Sequence, residues 1–121
     1  MSKFVIRVVV SGYKFDLYAA NGQVIATSEV YETKAACRKG VASVRKNAST
    51  RKVEDRTESG HCPLSNPKYE LFRDKAGQYR FRLKASNGKI IAVSESYGTR
   101  AACENGIQSV QSNAAEAELE E

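Results

Sequence analysis

A polar segment with the pattern Ser-Glu-x-Tyr-x-Thr occurs twice, at residues 28–33 and 94–99. Hydroxyl and carboxylate side chains of this kind can orient a polar ligand or take part in acid–base chemistry. If two such loops met at the helix N-termini, they would frame one polar pocket. The candidate pocket residues are Ser28, Glu29, Tyr31, Ser94, Glu95 and Tyr97. A structural interpretation is favoured: the threonine caps a helix, the glutamate complements the helix dipole, and the tyrosine packs its ring while its hydroxyl stays wet.

Positively charged side chains form a second candidate site. Residues 1–66 hold eleven Lys or Arg against six Asp or Glu, whereas residues 67–121 hold eight of each, so the net charge of +5 belongs to the first part. The candidates for contacts with an anion or with nucleic-acid phosphates are Arg38, Lys39, Arg45, Lys46, Arg80, Arg82 and Lys84. The alternative is a solvated charged surface that balances the acidic C-terminal residues.

Histidine and cysteine predict neither a metal site nor a catalytic pair. A zinc site needs about four ligands, and the chain has one His and three Cys, of which Cys37 and Cys103 fall on apolar helical patterns. His61 and Cys62 are neighbours in an extended segment, where adjacent side chains point apart. We therefore expect no catalytic residue, no metal and no cofactor, and free thiols in a reducing, cytoplasmic compartment.

The elements that position these residues come from an internal duplication. A shift of 66 residues aligns 13–48 with 79–114, and twenty of the thirty-six positions are identical. We assign repeat one to residues 1–58, a linker to 59–67 and repeat two to 68–121, within one domain of residues 1–121. The longest apolar run is too short to cross a membrane, and no signal peptide is expected.

Each repeat reads as three strands and a helix, followed by a shorter extended piece. Alternation of apolar and polar residues over 13–19 and 79–85 predicts half-buried strands, with the basic row of repeat two on the face opposite the helices. The Asn-Gly pairs at 21–22 and 87–88 predict type I′ hairpin turns. Thr33 and Thr99 are expected to begin the helices, and Gly40 and Gly106 indicate close approach of helix to sheet.

The segments LKASNGKIIAVSESY, AACENGI and SVQSNA, all within residues 83–114, resemble the YegP-like family of small bacterial proteins, a domain of unknown function. The resemblance covers nearly the whole chain but departs in strand one, where FVIRVVVSG replaces a more polar pattern. It implies β-β-β-α-β units, paired in tandem or as a dimer, with their last strands exchanged in one sheet. It implies no established activity, cofactor or catalytic residue.

The predicted fold is α+β: two tandem β-β-β-α-β repeats share one antiparallel sheet, with both helices on one face, a pseudo-twofold axis and exchanged C-terminal strands. The leading functional hypothesis is a non-enzymatic binding or accessory module for a partner protein or a small polar ligand. Weak, sequence-independent nucleic-acid binding through the basic surface is the alternative, and an enzyme at the paired Ser-Glu-x-Tyr loops is the third. We expect a monomer, since two repeats complete the sheet, and no membrane contact.

Overall fold

The computed structural model describes residues 2–121 as eight strands and two helices. The strands are β1 (Lys3–Val9), β2 (Gly12–Tyr18), β3 (Val24–Thr27), β4 (Val53–Asp55), β5 (Lys68–Arg73), β6 (Tyr79–Lys84), β7 (Ile90–Ser94) and β8 (Glu118–Glu120). The helices are α1 (Lys34–Asn47) and α2 (Arg100–Asn113), and a 3₁₀ turn at Ala114–Glu116 follows α2.

All eight strands form one sheet in the order β4-β5-β6-β7-β3-β2-β1-β8. Each repeat contributes an antiparallel meander of three strands, and each last strand lies beside the first strand of the other repeat, as predicted. The sheet is mixed, however, because β4 is parallel to β5 and β8 is parallel to β1. The prediction of an antiparallel sheet was therefore wrong at both edges. Parallel neighbours need a crossover of about a dozen residues, and residues 56–67 supply it between β4 and β5.

The hairpin turns also differ from the prediction. Gly22 and Gly88 have φ values of +86° and +82°, but no non-glycine residue in the described chain has a positive φ. The amide of Gly22 donates to the carbonyl of Ala19, and the amide of Ala19 donates to the carbonyl of Gln23. This is a three-residue loop with a glycine bulge. Type I′ was wrong because Asn21 keeps a negative φ while its side-chain oxygen accepts from the Gln23 amide at 3.0 Å.

Both helices pack on one face of the sheet over an aromatic core. Phe4 and Phe15 meet edge to face in repeat one, and Tyr69 and Phe81 do so in repeat two, with ring centroids 5.7 and 5.9 Å apart. All four rings are fully buried. The apolar side of each helix faces these rings. Its buried residues include Cys37, Gly40, Val41 and Val44 in α1 and Cys103, Gly106, Ile107 and Val110 in α2.

Close contact between a tyrosine and a helical glycine fixes each helix on the sheet. Tyr31 stacks on Phe15 with its ring centroid 6.3 Å away, and a Cβ at Gly40 would lie 2.3 Å from its hydroxyl oxygen. Tyr97 and Gly106 repeat this contact at 2.4 Å. Each tyrosine ring packs on its phenylalanine as expected, and each hydroxyl lies against its helix at the glycine. Burial accordingly raises the pKa of Tyr31 and of Tyr97 above the usual phenol value.

We predict that Gly40→Ala lowers the free energy of unfolding by about 1 to 3 kcal/mol, because the added methyl group overpacks the Tyr31 contact. This outweighs the gain of about 1 kcal/mol that alanine brings to a helix interior. Urea unfolding followed by circular dichroism measures the change. Gly98→Ala is the control, since the nearest atom to its added Cβ would be 4.0 Å away. If Gly40→Ala is as stable as the wild type or more stable, the role assigned to the Tyr31–Gly40 contact is contradicted.

Candidate functional site

Both Ser-Glu-x-Tyr-x-Thr segments end a strand and begin a helix. The Ser28 hydroxyl accepts from the amide of Phe15 at 2.9 Å and donates to the carbonyl of Glu29 at 2.7 Å, and Ser94 repeats this with Phe81 and Glu95. Both serines are buried. Thr33 and Thr99 accept from the amides of Ala36 and Ala102, so they cap α1 and α2 as predicted. Serine and threonine in this pattern are therefore engaged in local backbone structure.

The two segments do not frame a common pocket. Strands β3 and β7 pair antiparallel at Ala26–Ser94 and Thr27–Val93, and each segment leaves the C-terminal end of its own strand. Glu29 and Glu95 therefore lie at opposite ends of this central strand pair, and both are exposed. The sequence could not distinguish this arrangement from a shared pocket, because both arrangements are compatible with a pseudo-twofold axis between the repeats.

Glu29 and Tyr31 instead line a pocket with residues of repeat two. Beyond Thr27, the described β3 and β7 have no further registered pairs, and a pocket of about 500 Å³ opens along this junction. We call this opening the seam pocket. It is lined by Glu29, Tyr31, Lys84, Gly88, Lys89, Ile90 and Ile91. Carboxylate, ammonium and aliphatic groups thus meet at the boundary between the repeats.

The basic row of repeat two lies on the face opposite the helices, but its charges are engaged. Arg82 Nε is 2.6 Å from Glu70 Oε1, and Lys84 Nζ is 3.4 Å from Glu70 Oε2. Arg80 donates to the carbonyl of Ser94 at 3.1 and 3.3 Å. A phosphate would compete with these internal partners, so this row is a weaker anion site than its sequence indicates.

The basic residues of α1 divide into engaged and unpaired groups. Arg38 contacts Glu121 at 2.5 Å, and Arg45 donates to the carbonyl of Ala117 at 2.6 Å, so the exchanged C-terminal segment partly balances this helix. Lys39 and Lys46 are exposed and have no carboxylate within ion-pair distance among residues 2–121.

Lys39 and Lys46 line one opening, which we call the cationic cleft. It has a volume of about 320 Å³ and lies between α1 and the β6–β7 hairpin. Its lining is Lys39, Ala42, Ser43, Lys46, Asn47, Ala85, Ser86 and Asn87.

Two adjacent glutamates are buried at the other end of the sheet, and sequence reasoning missed them. Glu54 and Glu70 are neighbours across the parallel β4–β5 pair, and each is 1% exposed. Lys68 Nζ lies 2.6 Å from Glu54 Oε1 and 3.3 Å from Glu70 Oε2, and Arg56 contacts both acids. The Leu64 amide also donates to Glu54 at 2.8 Å. A signal was available in the sequence, because charged residues occupy alternate positions at the start of β5. One of them, Glu70, aligns with the apolar Val5 of repeat one.

This buried pair stays ionised because cations and donors surround it. The hydrogen bond from Lys68, with that from the Leu64 amide, lowers the pKa of Glu54 to about 2. Burial alone would raise the pKa of Glu70, but the hydrogen bond and charge of Arg82 leave it below its usual range. Through the Leu64 amide, the linker covers this edge of the sheet and takes part in the charge network.

His61 and Cys62 lie beside this network. His61 Nε2 is 3.4 Å from Glu54 Oε2, and both residues border a cavity of about 360 Å³. Cys62 is exposed, whereas Cys37 and Cys103 are buried, and burial raises the pKa of Cys103 to about 11. Within residues 2–121 no three His, Cys, Asp or Glu side chains come together in a metal-binding arrangement.

Comparison with known proteins identifies the family. A family model described as a domain of unknown function, DUF1508, matches residues 11–55 and 74–121. The chain belongs to this family. UPF0339 protein MS1092 of Mannheimia succiniciproducens is 41% identical over 103 residues, which are 85% of this chain and 78% of that protein.

Two solution structures share the fold. UPF0339 protein SO3888 from Shewanella oneidensis superposes with a TM-score of 0.80 at 30% identity and covers 98% of this chain and 89% of its own. The protein of unknown function yegP from E. coli gives 0.78 at 32% identity, covering 98% and 90%. The resemblance predicted from the repeated segments is confirmed. Neither helix of the described chain has the length and apolar character needed to span a bilayer.

We predict that acid weakens this DUF1508 protein as the pH falls from about 4.5 to about 2, the ordinary and folded pKa values of Glu54. A carboxyl whose pKa is lower in the folded state stabilises it fully above the unfolded pKa and loses that contribution as it protonates. The free energy of unfolding, measured by urea titration at each pH, should fall across this window.

The variant Glu54→Gln should show a flatter pH dependence and, at pH 7, a free energy of unfolding about 3 kcal/mol lower, because the buried ammonium of Lys68 loses a charged partner. Glu32→Gln is the control, since Glu32 is exposed. Identical pH slopes for wild type and Glu54→Gln would contradict the assignment of this carboxyl.

Proposed function

We propose that the chain is a non-enzymatic binding module for a small polar ligand, held in the seam pocket. The observation that carries the proposal is the meeting of Glu29 and Tyr31 from repeat one with Lys84, Lys89 and the two isoleucines of repeat two. Its volume of about 500 Å³ is within the usual range for small-molecule sites. Such a site needs both repeats, which gives the duplicated chain a role beyond folding.

The lining supports a zwitterionic ligand with an apolar part. Glu29 and Lys89 are exposed and have no ion-pair partner among residues 2–121, so each has a free charge for a ligand. Half-buried Ile90 and buried Ile91 supply the aliphatic part of the same lining. A free amino acid matches this combination: its ammonium faces Glu29, its carboxylate faces Lys89, and its side chain contacts the isoleucines.

Binding is favoured over catalysis by the use already made of the candidate nucleophiles. The hydroxyls of Ser28 and Ser94 are buried in backbone hydrogen bonds, and Glu29 and Glu95 lie at opposite ends of the central strand pair. Both observations argue against the hypothesis of an enzyme at the paired Ser-Glu-x-Tyr loops. A cytoplasmic location is part of this proposal, because a reducing compartment suits the exposed thiol of Cys62.

Nucleic-acid binding through a continuous basic surface receives less support. Arg82 and Lys84 contact Glu70, and Arg38 contacts Glu121. A protein that follows a phosphate backbone uses many free cations at once. Here most of the candidate cations already have internal partners.

The test is an NMR titration of isotope-labelled protein with L-leucine. We expect saturable amide shifts at Glu29, Tyr31 and residues 88–91, and none at the equivalent positions Glu95, Tyr97 and 22–25. Binding of 4-methylpentanoate, which lacks the amine, and of 3-methylbutylamine, which lacks the carboxylate, should each be about fivefold weaker, the effect of one exposed ion pair.

Matched variants separate the two charges. Glu29→Gln should weaken leucine about fivefold but leave 4-methylpentanoate unchanged, while Glu95→Gln in the other repeat should change neither. The absence of leucine shifts at the seam would contradict the proposed ligand class. Shifts of equal size in both repeats would contradict the proposed site.

A further inference from the structure

We propose that the cationic cleft is a second, separate ligand site, which binds the phosphate group of a small phosphorylated molecule. The cleft lies between α1 and the β6–β7 hairpin and has a volume of about 320 Å³. It joins repeat one to repeat two on the helical side, and none of its lining residues belongs to the seam pocket.

The charge of the cleft comes from two lysines on one helical face. Lys39 and Lys46 are seven residues apart, two turns of helix, so they project on the same side about 10 Å apart along the axis. Their neighbours Lys34 and Arg38 contact Glu121, and Arg45 donates to the Ala117 carbonyl. Lys39 and Lys46 have no such partner in the described chain, so two positive charges border the cleft uncompensated.

A buried asparagine holds the polar groups of the cleft in position. Asn47 is 7% exposed; its side-chain nitrogen donates to the Ser43 carbonyl at 2.9 Å, and its side-chain oxygen accepts from the Ser86 hydroxyl at 3.4 Å. Asn87 uses its side-chain oxygen to accept from the Lys89 amide, which leaves its NH₂ group as a donor. The Ser43 hydroxyl, which only accepts from Asn47, and the Asn87 amide thus accompany the two ammonium groups, a donor set suited to phosphate oxygens.

The equivalent opening in the other half of the molecule lacks this charge. It lies beside α2, has a volume of about 150 Å³ and includes Ser112 and Glu116 in its lining. Ser112 occupies the position of Lys46, and Asn105 that of Lys39. The same helix and hairpin therefore form without either lysine, so the fold does not require this pair of cations. Glu116 would moreover repel an anion.

A phosphate monoester is the chemical class that matches the cleft. It carries close to two negative charges at pH 7 and three acceptor oxygens, against two lysines and several donors. No aromatic side chain lines the cleft, so nothing there would stack a nucleic-acid base. We therefore assign the site to a small phosphorylated molecule rather than to a nucleic acid.

The experiment titrates labelled full-length protein with glycerol 3-phosphate and with inorganic phosphate at constant ionic strength. Saturable shifts are expected at the amides of Ser43, Lys46, Ser86 and Asn87 but not at those of Ser109, Ser112 and Asn21. The double variant Lys39→Gln/Lys46→Gln should bind about tenfold more weakly, the effect of losing charge-assisted hydrogen bonds.

The control Arg51→Gln/Lys75→Gln removes the same net charge from exposed positions outside the cleft and should bind like wild type. The variant Asn105→Lys/Ser112→Lys/Glu116→Gln should acquire shifts in the second opening. The proposal is overturned if no probe gives saturable shifts, or if the control pair weakens binding as much as the lysine pair. It is also overturned if a short single-stranded DNA shifts the cleft while glycerol 3-phosphate does not.

Discussion

The exchange of last strands between the repeats is the constraint on which the rest of the structure depends. Strand β4 of repeat one pairs with β5, and β8 of repeat two pairs with β1. The central pair β3–β7 has only two registered residue pairs in the described chain, so it contributes little backbone hydrogen bonding between the repeats. Without exchange, each three-stranded meander would leave an outer edge bare and a small core. Exchange makes both repeats parts of one sheet, and the seam pocket and the cationic cleft lie at the boundary between the repeats.

Charge distinguishes the two exchanged strands from each other. Strand β4 places Glu54 beside Glu70, where Lys68, Arg56 and Arg82 surround the pair. The position beside β1 is different, because there Glu120 lies next to Val5, and Asp16 follows on the next strand. If β4 lay beside its own β1, Glu54 would lose the cations of repeat two. A buried ionic cluster is weak evidence for added stability, but it can select one arrangement over another.

Sequence reasoning reached most of the fold because the duplication presents every local signal twice. Thr33, Thr99, Gly40 and Gly106 have the roles that their positions indicate. The type I′ turn was wrong because an Asn-Gly pair is compatible with more than one loop length, and strand pairing decides between them. The parallel edges were missed because strand direction depends on the path of the linker, which composition does not specify.

The candidate sites were predicted less well than the fold. Glu29, Tyr31 and Lys84 were all candidates, but their meeting in one pocket depends on the antiparallel β3–β7 contact. The partition of basic residues into paired and unpaired groups depends on where the acidic C-terminal segment lies after exchange. Long-range pairing of this kind leaves no trace in the spacing of residues along one repeat.

Equilibrium unfolding observed separately in each repeat tests the central claim most directly. Urea titration of labelled protein, followed through the amide signals of Phe15 in β2 and Phe81 in β6, reports on both meanders in one experiment. Because each last strand completes the other repeat's sheet, the account predicts one cooperative transition with the same midpoint at both amides. Two separate midpoints would contradict it, since they would show that each repeat folds without the strand contributed by the other.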